Sequence, residues 1–84
     1  MFYVYVLYDK QKFYIGFTAD LEQRLKDHKR GKVHTTKRYN LEKLKLIYAE
    51  MFVSEKDARR REQYLKTTKG RKGLRLILRE TLKS

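Results

Sequence analysis

Cysteine is absent from the 84-residue sequence, so neither a disulfide framework nor a cysteine-based zinc site can form. That absence fits a reducing compartment, and the expected location is the cytoplasm. Proline is absent too, and glycine occurs only four times. No interdomain linker is evident, and residues 1–84 are expected to form a single domain. No stretch approaches the roughly 18 apolar residues of a membrane span. The opening Met1-Phe2-Tyr3-Val4-Tyr5-Val6-Leu7 is apolar but has no basic leader and no small-residue cleavage site. It reads as a strand rather than a signal peptide. A chain of this length buries a modest core, one sheet with two or three helices laid on it.

Negative charge is also scarce. Ten Asp and Glu stand against 22 Lys and Arg, a formal net charge of +12. The excess is spread along the chain, and its basic residues alternate with Leu, Ile and Tyr. A disordered basic tail would be concentrated and poor in apolar residues, so this charge belongs to folded surfaces. A small domain this basic points to a polyanionic partner. A membrane surface would call for a long amphipathic helix. Residues 71–82 supply only Leu74, Ile77, Leu78 and Leu82, a stripe sized for packing on a sheet.

Residues 2–8 are rich in aromatic and β-branched side chains and predict a strand. Asp9 to Lys12 is turn-like, and Phe13-Tyr14-Ile15-Gly16 predicts a second strand, paired with the first as an antiparallel hairpin. Thr18 or Asp20 can cap a helix ending near Lys29, with Gly31 closing it. The polar, basic residues 31–41 predict a loop. Leu44 to Phe52 predicts a third, largely buried strand. Ser54 with Asp57 three residues on opens a second helix, which runs to about Lys66. Thr67 to Lys72 reads as a basic turn around Gly70, and residues 72–82 as a last helix. The expectation is an α+β fold, a three-stranded antiparallel sheet flanked by helices in the order β-β-α-β-α-α.

Within this pattern several polar residues fall where apolar ones belong. Arg24 and His28 share a helical stripe with Leu21 and Leu25. Glu62 lies between Ala58 and Leu65, on the inward side of its helix, where a carboxylate needs a cation, a metal or good donors. If Tyr8 pairs with Phe13, then Tyr3, Tyr5, Leu7, Tyr14 and Gly16 share one face of the sheet. Gly16 would then leave a hollow beside Tyr5 that a backbone or ligand could approach. Each residue taken singly also has a plain structural reading. The tyrosines could be packing, His28 a satisfied histidine, and Glu62 the salt-bridge partner of a snorkelling Arg24.

Together these residues resemble the GIY-YIG nuclease superfamily. Tyr14-Ile15-Gly16 matches the second half of the name motif, and Tyr3-Val4-Tyr5 stands at the first half, with Tyr3 in place of glycine. Arg24, ten residues after Tyr14, matches the family's helix arginine. His28 stands where members carry His or Tyr, and Glu62 matches the metal-binding glutamate. The resemblance covers about residues 2–78. It is nearest to small single-domain members similar to the nuclease domain of the bacterial excinuclease. Two positions depart from the pattern: Phe17 replaces a lysine of the excinuclease type, and Leu74 stands where the family often has asparagine.

The resemblance implies a metal-dependent endonuclease that hydrolyses DNA phosphodiester bonds with little sequence preference, in a setting such as repair or recombination. Glu62 would hold one divalent metal, Mg²⁺ or Mn²⁺. Arg24 would bind the non-bridging oxygens. Tyr14 or Tyr5 would position the water, and His28 would be a proton shuttle or a phosphate contact. Lys29, Arg30, Lys32, Lys37, Arg38, Lys69, Arg71 and Lys72 fit phosphate contacts, which carry no sequence information. The expected partner is nucleic acid, DNA ahead of RNA, with no membrane and with a second protein as a source of specificity. The alternative is a non-catalytic DNA- or RNA-binding module that keeps the fold.

Overall fold

The computed structural model describes residues 1–33, 39 and 43–83. Three strands, β1 (Phe2–Tyr8), β2 (Phe13–Thr18) and β3 (Lys45–Phe52), form one antiparallel sheet in the order β2-β1-β3. Three helices accompany it, α1 (Leu21–Lys29), α2 (Glu55–Leu65) and α3 (Thr68–Ile77), and a 3-10 turn follows at Thr81–Lys83. The chain order is the expected β-β-α-β-α-α. No helix among the described residues is long and apolar enough to cross a membrane.

The hairpin closes without a glycine. Asp9, buried, turns its Oδ1 back to accept from the backbone N–H groups of Gln11 (3.0 Å) and Lys12 (2.9 Å). This local bonding is what an Asx turn offers the chain in place of a ladder. Lys10 takes the left-handed conformation the turn needs, at φ 78°. The resulting register places Tyr8 opposite Phe13, Leu7 opposite Tyr14 and Tyr5 opposite Gly16, as the sequence pattern predicts.

Strand alternation then divides the core in two. Val4, Val6, Phe13 and Ile15 face Ala58 and Leu65 of α2 and Leu74 and Leu78 from α3 and its cap. Tyr5, Leu7 and Tyr14 face the other way, against Leu21 and Leu25 of α1. α1 therefore covers one face of the sheet, and α2 with α3 the other.

Each helix begins at a side-chain cap that satisfies an orphan N–H. Asp20, rather than Thr18, caps α1 by accepting from Gln23 N. Ser54 accepts from Asp57 N at the start of α2. Thr67 accepts from Gly70 N at the start of α3. This last cap overturns the expected turn at 67–72: α3 begins at Thr68, and residues 72–82 are not one helix. Gly70 is needed for contact rather than for a bend. A Cβ there would lie 2.7 Å from Leu65 Cα and would meet the Tyr64 carbonyl, so its absence lets α3 abut the end of α2.

The third strand also differs from expectation. β3 is an edge strand, with Leu46 and Met51 exposed, because β1 takes the central position. Its pairing with β1 is irregular between Val6 and Leu7, which skips Ile47. β3 is tied to α2 by Arg61, which donates from Nε to Glu50 Oε1 (2.8 Å) and from Nη2 to Glu50 Oε2 (2.9 Å). Tyr48 bonds the same carboxylate.

Candidate active site at the edge of the sheet

Tyr5, on the central strand, is 0% exposed. Its hydroxyl is hydrogen-bonded to His28 Nε2 at 2.8 Å. His28 lies one turn after Arg24 on the inward stripe of α1 and is 1% exposed. The imidazole edge meets the Tyr5 ring at 5.6 Å and the Tyr14 ring at 4.9 Å, and the two tyrosine rings are 6.1 Å apart. Gly16 allows this packing. A Cβ there would fall 2.5 Å from Tyr5 Cζ and Oη and 2.9 Å from Tyr14 Cε1. The hollow expected beside Tyr5 is therefore filled by the Tyr5 ring itself, and the glycine makes room for tyrosine rather than for ligand.

Burial sets the charge state of this cluster. It holds the His28 imidazole down to about 4, helped by the nearby positive Arg24 and opposed by Asp27. It also raises the Tyr5 hydroxyl, with Tyr14 adding to the effect and the Arg24 guanidinium beside it pulling the other way. At neutral pH both His28 and Tyr5 are uncharged. Arg24 is the charged member. Its Nε is buried without a hydrogen-bond partner, and among the described residues no carboxylate forms a salt bridge with it. A guanidinium that is only half-buried and forms no salt bridge favours the approach of an anion. Glu62 is not its partner.

Glu62 is carried by α2, which packs on the other face of the sheet from this cluster. At 3.6 residues per turn it lies roughly 40° round from Ala58, toward the flank that carries Arg59. Arg59 stacks its guanidinium over Phe17 of β2, 4.3 Å from the ring centroid, so that flank faces β2. Arg61, on the opposite flank, goes to Glu50 of β3. Glu62 is thus on the β2 side of α2, its side chain 14% exposed and its Oε2 3.1 Å from Lys66 Nζ. The structure gathers Tyr5, Tyr14, Arg24 and His28 into one cluster on the α1 face. It pairs Glu62, on the other layer, with Lys66, and among the described residues no salt bridge joins it to Arg24.

Among the described residues no three His, Cys, Asp or Glu side chains stand together as a metal-binding group. A hard cation of the Mg²⁺ type needs only one or two carboxylates beside water and phosphate oxygens, and Glu62, paired here with Lys66, is the single carboxylate singled out for it.

Of the basic residues singled out from sequence, Lys29, Arg30 and Lys32 are exposed at the end of α1. Lys69, Arg71 and Lys72 lie in the first turns of α3. Lys37 and Arg38 lie outside the described residues. Sequence reasoning missed Tyr39. Its hydroxyl donates to the Phe13 carbonyl at 2.9 Å, and its ring meets Tyr14 edge-on at 6.1 Å. The available signal was a lone aromatic in an otherwise polar, basic segment.

A three-stranded antiparallel sheet with paired tyrosines against an Arg–His helix face, and a glutamate on the helix of the opposite layer, is the frame that the comparison with known families describes as a nuclease-type domain. The family model for the GIY-YIG catalytic domain matches residues 1–75, and the chain belongs to the GIY-YIG family. It is similar to a UPF0213 protein of Clostridium perfringens, 35% identical over 99% of this chain and 89% of the relative. A UPF0213 protein of Streptococcus pneumoniae is 41% identical over 80% of this chain and 68% of its own length. One from Staphylococcus haemolyticus is 36% identical over 89% and 92% respectively. No solved structure matches the chain.

Proposed function

We propose that the protein is a metal-dependent endonuclease that hydrolyses DNA phosphodiester bonds with little sequence preference. The observation that carries this reading is Arg24: a half-buried guanidinium with no salt bridge among the described residues, set beside the tyrosine pair and a neutral histidine. Arg24 binds the non-bridging oxygens of the scissile phosphate as negative charge builds there. Tyr14, half-buried, positions the attacking water. Tyr5 is fully buried, so its part is to hold Tyr14 and Arg24 in place. His28 exchanges a hydrogen bond with Tyr5 and stays out of contact with solvent. Glu62 would hold one divalent ion, Mg²⁺ or Mn²⁺, which when bound supplies Lewis-acid stabilisation to the leaving oxygen.

The test is incubation with branched, flapped and plain DNA, and with RNA, each with and without Mn²⁺. Cleavage is expected only with the metal and is expected to be lost in Glu62→Ala and Arg24→Ala, while Glu62→Ala keeps most of its DNA binding. A Glu62→Ala protein that cuts as well as the parent removes the assignment.

One observation favours a second reading. Leu74, where the family often has asparagine, is 0% exposed in the core beneath the sheet and offers no polar group to the site. A non-catalytic nucleic-acid-binding module would bind the same DNA and leave it intact with or without Mn²⁺.

A further inference from the structure

The start of β2 collects cations that form no salt bridge among the described residues. Lys12 holds its Nζ over the Tyr39 ring, 4.3 Å from the centroid. Arg75 of α3 lies over the Phe13 ring at 4.9 Å. Arg71, one helical turn before Arg75, shares its flank of α3 and acts electrostatically on Tyr39. Tyr39 itself is bonded to the Phe13 carbonyl and packed on Tyr14. Two basic side chains, Lys12 and Arg75, thus lie over two aromatic rings beside the candidate catalytic tyrosine, and Arg71, whose Nε donates to the Lys66 carbonyl at 3.4 Å, stands one turn away on the same helix.

The contrast with α2 is informative. There Arg59, Arg60 and Arg61 pair with Glu55, Asp57 and Glu50. Among the described residues no salt bridge engages Lys12, Arg71 or Arg75. Asp9 is the nearby acid, and its Oδ1 is turned into the hairpin to accept from the backbone. Stacking on a ring fixes the direction of a cation without cancelling its charge. Arg71 and Arg75 are about 6 Å apart along the helix axis, which lets both engage one charged strand.

We propose that Lys12, Arg71 and Arg75 form a phosphate cradle that carries a DNA strand along the β2 edge to Tyr14, with Tyr39 as the residue that holds the cradle together. The proposal rests on the nucleic-acid reading of the site and adds the path by which the strand reaches it. Lys12 and Arg75 are drawn in by tertiary contact alone, since nothing in the sequence marks them apart from the other bases.

The test is binding of a fluorescein-labelled DNA duplex, by anisotropy, to the full chain in EDTA across a salt series. Removing a phosphate contact lowers the slope of log affinity against log salt by roughly 0.9. The double variant Lys12→Gln/Arg75→Gln is expected to lose about twice that, with an unchanged circular dichroism spectrum and melting temperature, whereas Arg60→Gln on α2 keeps the parent slope. Tyr39→Ala is expected to weaken binding, and Tyr39→Phe, which keeps the ring, to weaken it less. An unchanged slope in the folded double variant overturns the cradle. So does an equal loss in Arg60→Gln, or a preference for anionic lipid vesicles that depends on the same residues. Because binding is read without metal, a protein that binds through the cradle but never cuts removes only the nuclease reading. One that cuts with an unaltered salt slope removes only the cradle.

Discussion

The Tyr5 hydroxyl and His28 Nε2 sit 2.8 Å apart at the interface of β1 and α1, both sealed from solvent. This one bond joins the first half of the tyrosine motif to the helix that carries Arg24. It therefore couples the stability of the domain to the geometry of the site.

Acid should loosen that coupling. The folded protein keeps His28 neutral down to about 4, whereas the unfolded chain takes up its proton near 6.5. Between those values the unfolded state binds more protons, so stability rises with pH. The contribution is fully present above pH 6.5 and is lost as pH falls toward 4, by about 3 kcal/mol at most. Urea unfolding at several pH values checks it, with His28→Gln as the reference. The parent should lose more stability than the variant between pH 6.5 and 4, and parallel curves would contradict the assignment.

Gly16→Ala should push the Tyr5 and Tyr14 rings apart, because the new methyl would lie 2.5 Å from Tyr5 Cζ. Overpacking of this kind destabilises by about 1–3 kcal/mol. Thermal unfolding measures the loss, and the NMR shifts of the Tyr14 ring report whether the ring has moved. An alanine variant as stable as the parent, with Tyr14 shifts unmoved, would mean the rings are not in contact across Gly16.

Lys10→Gly should stabilise the hairpin. Lys10 holds φ 78°, a conformation that carries a steric penalty for any side chain. Glycine removes the penalty but adds freedom to the unfolded chain, and the net gain is expected to be up to about 1 kcal/mol. A lower melting temperature in the variant would be the contrary result.

Arg61→Gln should detach β3 from α2. The variant loses the two-pronged bond to Glu50 and leaves a half-buried carboxylate held by the Tyr48 hydroxyl at 2.6 Å. A loss of about 1–3 kcal/mol is expected. Since Arg61 points to the β3 flank, away from β2, metal-dependent cleavage below the melting transition should stay at the parent level. Loss of cleavage without loss of stability would place Arg61 in the site.

Much of this domain is legible without coordinates. The alternation in residues 2–8 and 13–16, with four polar residues between them, narrows the hairpin register, because a one-residue slip would turn Ile15 away from Val4 and Val6 to the opposite face. The Arg24 and His28 spacing follows from helix geometry alone. Other features were hidden. The run at 67–72 looks like a turn because glycine usually marks one, but Gly70 serves a contact with Leu65 that only the packing of two helices creates. Leu44 to Phe52 looks buried because it is apolar, but its burial depends on which strand is central.

Local sequence dictates the element order, the caps, the hairpin register and the residues able to do phosphate chemistry, because each depends on neighbours a few positions away. Three-dimensional packing alone places the Tyr5 ring over Gly16 and gathers Lys12, Tyr39 and Arg75 at the start of β2. Those are contacts between segments distant in the chain. They are chosen by how two helical layers close on a sheet, a competition among shapes that no local pattern encodes.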